Sequence, residues 1–217
     1  MKDRTEALTL AEKVEPAATA LVVVDYQNDF VAPGGALDKA GLFSEASATV
    51  HGPILEAIGG ARAAGAKVLF LRCEYNRPPD EPFLSDVWLD QARRRWHGLY
   101  TDIPVCVPES WGADFYQDVR PEPTDLVVTK HRFGAFQGTD LDLVLRTNGI
   151  RTLVFTGVVT HVCVESTVRQ AFFHDYFSIV ISDAVAGWNE TWHTTSLDVM
   201  DWGFAEVVPL SRVLESW

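Results

Sequence analysis

The chain has 217 residues, of which 47% are hydrophobic and 22% are charged, and its formal net charge is −12. This length closes one sizeable hydrophobic core, so we predict a single domain over residues 1–217, and the composition argues against a disordered, fibrous or repeat protein. The acidic balance repels nucleic-acid phosphates and anionic membrane surfaces. We therefore expect neither nucleic acid nor a membrane as a partner.

The three cysteines, Cys73, Cys106 and Cys163, are too few and too unevenly spaced for a disulfide framework or a CxxC metal clamp. Free thiols in a reducing compartment are the expectation. Residues 1–16 lack the apolar core of a signal peptide, and no apolar run approaches the length of a membrane span. The sequence thus predicts a cytoplasmic protein.

Apolar runs of strand length alternate with segments of helical periodicity, as is typical of buried parallel strands joined by crossover helices. Strands are predicted at 20–25, 67–72, 125–130, 151–158, 177–185 and 206–210. Helices are predicted at 46–64, 86–96, 139–146, 163–176 and 190–201. The alternation predicts an α/β fold, a three-layer α/β/α domain with a six-stranded parallel sheet of Rossmann type.

One long stretch, residues 76–122, interrupts the alternation. It is rich in proline and tryptophan and contains only one short helical segment, around 86–96. Long excursions of this kind in compact domains are often binding loops or lids. We interpret it as a candidate part of a binding site.

Three polar residues stand at the ends of predicted strands, where the active sites of open parallel sheets lie. Asp25 follows VVV, Lys130 follows LVVT, and Cys163 comes just beyond FTGVV at the predicted start of a helix. A thiol at a helix N-terminus feels the positive end of the dipole, which predicts ionisation near neutral pH. A thiol nucleophile, a carboxylate that takes its proton, and a cation that keeps thiolate and carboxylate in position are the groups that a cysteine hydrolase needs.

Structural roles compete with this interpretation, because each residue type on its own also serves as a turn, a solvated side chain or a small core hydrophobe. Cys73, within a strand, and Cys106, between apolar residues, are assigned to the core. Three histidines, His131, His161 and His193, are alternative bases. We interpret His131 and His161 as pocket or supporting residues instead.

Three segments, VVVDYQNDF, TKHRFGAFQGT and FTGVVTHVCVESTVRQAFFHDYF, occur in the order found in isochorismatase-like cysteine hydrolases, and the chain resembles that superfamily from residue 21 to about residue 208. The resemblance implies a triad in which Asp25 takes the thiol proton, Cys163 attacks a carbonyl and Lys130 stabilises the charged pair. It also implies a cis peptide bond between Val158 and Val159. Backbone N–H groups of Val159 and Cys163 would then form an oxyanion hole.

Within the superfamily the segments APGGALDKAG and TGVVTHVCVEST are most similar to amidohydrolases of ureido or carbamoyl compounds. The resemblance implies cleavage of a small amide of the biuret, triuret or ureidoacrylate type, with release of ammonia. Nicotinamidases usually carry a D-x-H metal motif after the second strand, where this chain has RCEYN, so we expect no metal and no other cofactor. Gly134 and His161 replace residues common in relatives, which predicts a reshaped pocket.

Candidate substrate-binding residues come from the loops around the triad and from the second-strand loop, namely Asn28, Phe30, Asn76, Phe136 and Gln137. Arg77 or Arg132 would clamp a substrate carboxylate. The tryptophans of the C-terminal half pack either a subunit interface or the core, and relatives are commonly dimers or tetramers, so we expect a homo-oligomer.

Other functions remain open at this stage. Isochorismatase-type cleavage of a vinyl ether, a nicotinamidase-like amidase and a noncatalytic interaction domain are all compatible with the fold. A thiol sensor using Cys163 is a further alternative, although no resolving cysteine lies near it in the sequence.

Overall fold

The computed structural model describes residues 6–43, 45–75 and 82–217. Its framework is a six-stranded sheet in the order β3-β2-β1-β4-β5-β6, and every neighbouring pair is parallel. The strands are β1 Thr19–Val24, β2 Lys67–Cys73, β3 Leu126–Lys130, β4 Thr152–Val158, β5 Phe177–Ala186 and β6 Glu206–Val208. The predicted fold class and strands are confirmed. The central strands β1 and β4 are buried along their whole length, as expected of parallel strands covered on both faces.

The longer helices fall where the periodicity predicts them, with several short ones added. They are α1 Leu10–Lys13, α2 Asn28–Val31, α3 Ala36–Lys39, α4 Ala46–Thr49, α5 His51–Ala64, α6 Asp86–Arg95, α7 Leu141–Thr147, α8 Glu165–Phe173, α9 Glu190–Gly203 and α10 Leu210–Leu214. Short 3₁₀ turns lie at Pro16–Ala18 and Trp111–Ala113. Among the helices of the described residues, none combines the length and the apolar character needed to cross a membrane.

The single helix predicted over residues 46–64 is wrong, because the chain forms α4 and α5 with a break at Val50. The reason is Pro53, which has no backbone N–H and is tolerated only in the first turn of a helix. A new helix therefore begins just before it. Gly65 ends α5 in the left-handed conformation, with φ 82°, as expected of a helix C-terminus.

Side chains alternate between the two faces of the sheet and build a core on each. In β1, Leu21 and Val23 pack on the face covered by α5 and α10, whereas Val22 and Val24 pack on the face covered by α7, α8 and α9. This period of two is the signature of a strand buried on both sides. The helices thus form the two outer layers that the sequence predicted.

The strand order reverses between β1 and β4, and Gly157 lets these two strands approach each other at their carboxyl ends. Gly157 pairs with Val24 and has φ 103°, and a Cβ built there would lie 2.2 Å from the Val24 carbonyl oxygen. Only glycine fits this contact. Ligands of open α/β sheets bind at such a reversal point, directly beyond the strand ends.

Candidate active site

Asp25 and Lys130 meet beyond the carboxyl ends of β1 and β3. Asp25 directly follows β1, and Lys130, the last residue of β3, extends across the end of β2 to reach it. The Nζ atom of Lys130 lies 2.8 Å from Oδ2 of Asp25, and both side chains are fully buried. The structure therefore brings together two of the three residues in the predicted triad.

The ammonium of Lys130 is held by several acceptors besides Asp25. It donates to the Cys73 sulfur at 3.0 Å and to the carbonyl oxygens of Arg132 at 2.9 Å and Phe133 at 3.1 Å. Burial by itself opposes the charge, but the facing groups, Asp25 first, outweigh it and raise the pKa of Lys130 well above its ordinary value. Lys130 is a fixed buried cation at neutral pH.

Cys163 lies in a π-helical turn, Thr160–Val164, that precedes α8. The α-helix therefore begins at Glu165, two residues after the predicted start at Cys163, because the π-helical turn separates the end of β4 from it. Such π-turns occur frequently at functional sites. The predicted cis peptide bond between Val158 and Val159 is present, directly before this turn.

Cys73 is a component of the site that the sequence analysis assigned to the core. It is the last residue of β2, and its sulfur, a carboxylate oxygen of Asp25 and the sulfur of Cys163 all lie within 4.8 Å of one another. Gln27 fixes its backbone, because the side-chain amide accepts from the Cys73 N–H at 2.7 Å and donates to the Cys73 carbonyl at 3.0 Å. Two cysteines and one carboxylate thus surround the same point.

The thiol of Cys163 is protonated in this arrangement. Its hydrogen bond with Cys73, followed by burial, raises the pKa of Cys163 well above its ordinary value, and the Lys130 charge only partly offsets this. Ionisation of Cys163 near neutral pH, predicted from a helix N-terminus, is therefore wrong for this arrangement of side chains. A sensor thiol needs an accessible, low-pKa sulfur, so the nearby Cys73 does not make the thiol-sensor alternative more attractive.

A base for the thiol proton is available on Asp25. Within the described residues, Oδ1 of Asp25 has no hydrogen-bond partner, whereas Oδ2 faces Lys130. Asp25 also adopts the left-handed conformation, with φ 48°, which is uncommon for a residue other than glycine and is typical of functional positions. The carboxylate is therefore held in place with one oxygen free to accept a proton.

The same three side chains, Asp25, Cys73 and Cys163, are of types that bind zinc in other proteins. Here the Lys130 ammonium already lies 2.8 Å from Asp25 and 3.0 Å from Cys73, so the positive charge at this point comes from the chain itself. That no metal is needed stays a prediction.

A cavity of about 470 Å³ opens above Cys163 and Asp25, and Val158 and Val159 also line it. Much of its wall is apolar or aromatic, from Leu37, Leu42, Trp96, Phe133, Trp188 and Trp192. The long stretch that interrupts the alternation, described here over residues 82–122, supplies part of the cavity wall from the end of α6 onward. This position is the one predicted for a binding loop. Four other wall residues, Leu37, Leu42, Trp188 and Trp192, were not predicted for the pocket, since they come from segments far apart in the chain.

The predicted substrate-binding residues separate into two groups. Phe30 lines the cavity. Asn28 is not among the lining residues, because its side chain is buried and donates to the Trp111 carbonyl at 2.7 Å. Phe136 stacks on His174 at 4.6 Å between ring centroids. Phe136 and the exposed Gln137 also lie outside the lining, which corrects their assignment to the pocket. Asn76 falls outside the described residues.

The proposed carboxylate clamp is not supported at Arg132. Its guanidinium donates to the Phe83 carbonyl at 2.7 Å and lies over the Trp88 ring, away from the cavity lining. Arg77 falls outside the described residues. Among the described residues, the arginine that lines the cavity is the exposed Arg95 at the end of α6, which was not predicted as a site residue.

Two of the three candidate histidine bases have other partners. His131 contacts the Glu74 carbonyl through Nδ1 at 2.6 Å and stacks on Phe83. His193 contacts the Thr160 hydroxyl at 2.9 Å. His161 lines the cavity, and burial followed by the neighbouring His193 lowers its pKa to about 4, so it is neutral at pH 7. The interpretation of His161 as a pocket residue fits this position.

Gly134 does not reshape the cavity as predicted, since it is not among the lining residues. A Cβ built at Gly134 would lie 2.3 Å from Oε1 of Gln170, and the same oxygen accepts a hydrogen bond from the Phe136 N–H at 3.0 Å. Glycine at this position therefore makes room for Gln170, which fixes the loop behind Lys130.

Comparison with known proteins agrees with this geometry. The isochorismatase domain model matches residues 19–211. The chain belongs to the isochorismatase family. Ureidoacrylate amidohydrolase RutB of Serratia proteamaculans is 40% identical over 191 residues, which cover 83% of this chain and 73% of that protein. The chain is a hydrolase of this family.

Solved structures show the same architecture. A cysteine hydrolase from Pseudomonas syringae pv. phaseolicola superposes with a TM-score of 0.78 at 27% identity and covers 94% of each chain. N-carbamoylsarcosine amidase from Thermoplasma acidophilum superposes with a TM-score of 0.70 at 29% identity, covering 88% of this chain and 96% of that one.

Proposed function

We propose that this chain is an amidohydrolase that cleaves the C–N bond of an amide or ureido compound through a thioester on Cys163 and releases ammonia. The observation that carries the proposal is that Asp25 and Cys163 line one cavity, with Lys130 paired to Asp25 behind it. A ureidoacrylate amidohydrolase and an N-carbamoylsarcosine amidase among the similar proteins support carbon–nitrogen chemistry.

The first half of the reaction follows from the positions of the side chains. Asp25 takes the proton of the Cys163 thiol on Oδ1, and the thiolate attacks the substrate carbonyl carbon. Lys130 stays charged and stabilises the carboxylate before the transfer and the thiolate after it. Because the pKa of the thiol is raised, transfer and attack occur together once a carbonyl is in place.

The developing negative charge on the carbonyl oxygen needs donors at the same place. The backbone N–H groups of Val159 and Cys163 are the proposed donors, since both residues line the cavity beside the nucleophile. Removing one such donor typically costs about 3 kcal/mol of transition-state stabilisation. Asp25 then returns its proton to the leaving nitrogen, ammonia departs, and a water activated by Asp25 hydrolyses the thioester.

Ammonia release from a panel of ureidoacrylate, biuret, triuret, N-carbamoyl amino acids, nicotinamide and simple amides tests this function. The wild type releases ammonia from at least one member, Cys163→Ser releases none, and intact mass detects an acyl adduct on Cys163 during turnover. Cys106→Ser is the matched control, because Cys106 is a buried thiol outside the cavity lining. Hydrolysis of a vinyl ether without ammonia release, or no reaction and no adduct, would contradict the proposal.

We propose that the enzyme is cytoplasmic. We also propose that it is a homo-oligomer, either a dimer or a tetramer. Support for a reducing compartment comes from Cys73 and Cys163, whose sulfurs lie within 4.8 Å of each other, because the proposed reaction requires Cys163 as a free thiol. Support for assembly comes from the exposed aromatic side chains Phe172, Phe173 and Trp202.

A further inference from the structure

The described walls of the cavity above Cys163 are mostly apolar or aromatic. Two aromatic clusters face it, one formed by Trp96 and Phe133 with ring centroids 5.5 Å apart. The other consists of Trp188 and Trp192, which contact His161 at 4.6 Å and 5.3 Å. Flat, rigid side chains of this kind favour flat apolar ligands.

Charged side chains are scarce in the described part of the cavity lining. Besides Asp25, which is paired with Lys130, the lining contains Arg95, and this arginine is exposed. A carboxylate buried against tryptophan and leucine would lose its hydration, and within the described lining the exposed Arg95 is the only cation near it. The described walls are therefore poorly suited to ureidoacrylate or biuret, whose surfaces are polar almost throughout.

His161 provides one polar contact within these walls. Both of its ring nitrogens are buried, and neither has a hydrogen-bond partner among the described residues. The ring is fixed by packing, because a Cβ built at Gly187 would lie 2.7 Å from its Nδ1 and Cε1 atoms. A neutral imidazole offers one donor and one acceptor, so it pairs with a single uncharged polar group of a ligand.

Resting on the amidohydrolase function proposed above, we infer that the substrate is an uncharged primary amide or monosubstituted urea that carries an aromatic group. The carbonyl faces Cys163, the aromatic group packs against the tryptophans, and His161 pairs with one uncharged polar atom of the substrate. Attack of the Cys163 sulfur on the carbonyl breaks the bond to the terminal nitrogen, which leaves as ammonia with the proton from Asp25. Water then releases the acid or carbamic acid.

The test compares kcat/KM for matched pairs, benzamide against acetamide and phenylurea against methylurea, with ureidoacrylate and biuret in the same series. We expect the aromatic member of each pair to be favoured by about 100-fold, because differences in apolar contact are worth roughly tenfold or more for even one methylene group. Trp192→Ala reduces that preference at least tenfold, because it removes one of the aromatic side chains that contact the substrate. Trp202→Ala, which changes a tryptophan outside the cavity, leaves the preference intact.

A binding measurement separates this inference from the proposed reaction. Cys163→Ser binds benzamide and phenylurea, seen as quenching of tryptophan fluorescence, and binds ureidoacrylate at least tenfold more weakly. Faster turnover of ureidoacrylate or biuret than of every aromatic compound would overturn the inference and leave the amidohydrolase function standing. Binding of the aromatic compounds with no ammonia release from any compound would overturn the proposed function. Failure of Cys163→Ser to bind them would overturn the inference.

Discussion

The ammonium of Lys130 touches the sulfur of Cys73 at 3.0 Å while it pairs with a carboxylate at 2.8 Å. Three neighbouring strands, β3, β2 and β1, each contribute one group to this contact, so the charge distribution of the site is set by the sheet. Because backbone hydrogen bonds fix the strands, the groups need no rearrangement when a substrate enters. Preorganised charges of this kind are a major source of catalytic power.

Lys130→Met is expected to inactivate the enzyme and to lower the free energy of unfolding by about 3–5 kcal/mol, because it leaves the Asp25 carboxylate buried without its partner. Denaturant unfolding and ammonia release measure the two effects. The double variant Asp25→Asn with Lys130→Met removes both charges and recovers much of the stability but no activity. Equal stability of the single and double variants would contradict the role assigned to the pair.

Cys73→Ala is expected to lower the pKa of the Cys163 thiol, because the hydrogen bond between the two sulfurs is the largest influence that raises it. The pH dependence of the alkylation rate of Cys163 by iodoacetamide reports this pKa directly. Cys106→Ala serves as the control and leaves the profile unchanged. A profile that moves to higher pH, or does not move in Cys73→Ala, would show that Cys73 does not hold the thiol in its protonated form.

His161 is expected to make the fold sensitive to mild acid. Its pKa is lowered from 6.5 to about 4 by burial and the neighbouring His193, so the unfolded chain binds more protons than the folded one between these values. The neutral imidazole contributes to the free energy of unfolding in full above pH 6.5, and this contribution is lost as the pH falls towards 4. His161→Phe should therefore lose less stability between about pH 7 and about pH 4.5 than the wild type does.

Denaturant midpoints at the two pH values measure this difference. His174→Gln, at an exposed histidine, is the matched control for removal of one imidazole and keeps the acid sensitivity of the wild type. An identical loss in His161→Phe and wild type would show that His161 is not the group responsible.

A homo-oligomer is expected to form through an exposed aromatic surface. Phe172 and Phe173 are 48% and 70% exposed and lie edge-on to Phe204, while Trp202 is 86% exposed. Large exposed apolar patches are typical of protein interfaces. Light scattering should give a mass of at least twice the 24.1 kDa of one chain, and Phe173→Ser with Trp202→Ser should reduce it to one. A wild-type mass of 24.1 kDa would contradict the expected assembly.

The sequence predicted the sheet well, because a strand buried on both faces is a continuous apolar run, and the two ends of such a run are easy to locate. The triad followed from the same signal, since Asp25, Lys130 and Cys163 are polar residues just beyond such runs. Short helices such as α2 and α3 lack enough turns to show a periodicity. Their formation depends on tertiary contacts, for example the hydrogen bond from the Ala36 N–H to the Asp29 carboxylate.

Cys73 and the cavity wall were beyond prediction for a different reason. Cys73 ends an apolar strand and resembles a core residue in the sequence, and only the neighbouring positions of β1, β2 and β3 reveal its contact with Lys130. Trp188 and Trp192 were assigned to an interface or to the core, whereas both line the cavity. Trp217 does pack on the core, where its indole N–H donates to the Val14 carbonyl at 3.1 Å.

Gly157 does not line the cavity, but substitution of this glycine would disturb the site. One added methyl group would press on the carbonyl of Val24, directly before Asp25, and wedge the two central strands apart. Asp25 follows β1 and Cys163 follows β4, so the distance between their side chains would grow although both residues are retained. Relatives with a larger residue at this position are therefore expected to be inactive, even where aspartate, lysine and cysteine are all retained.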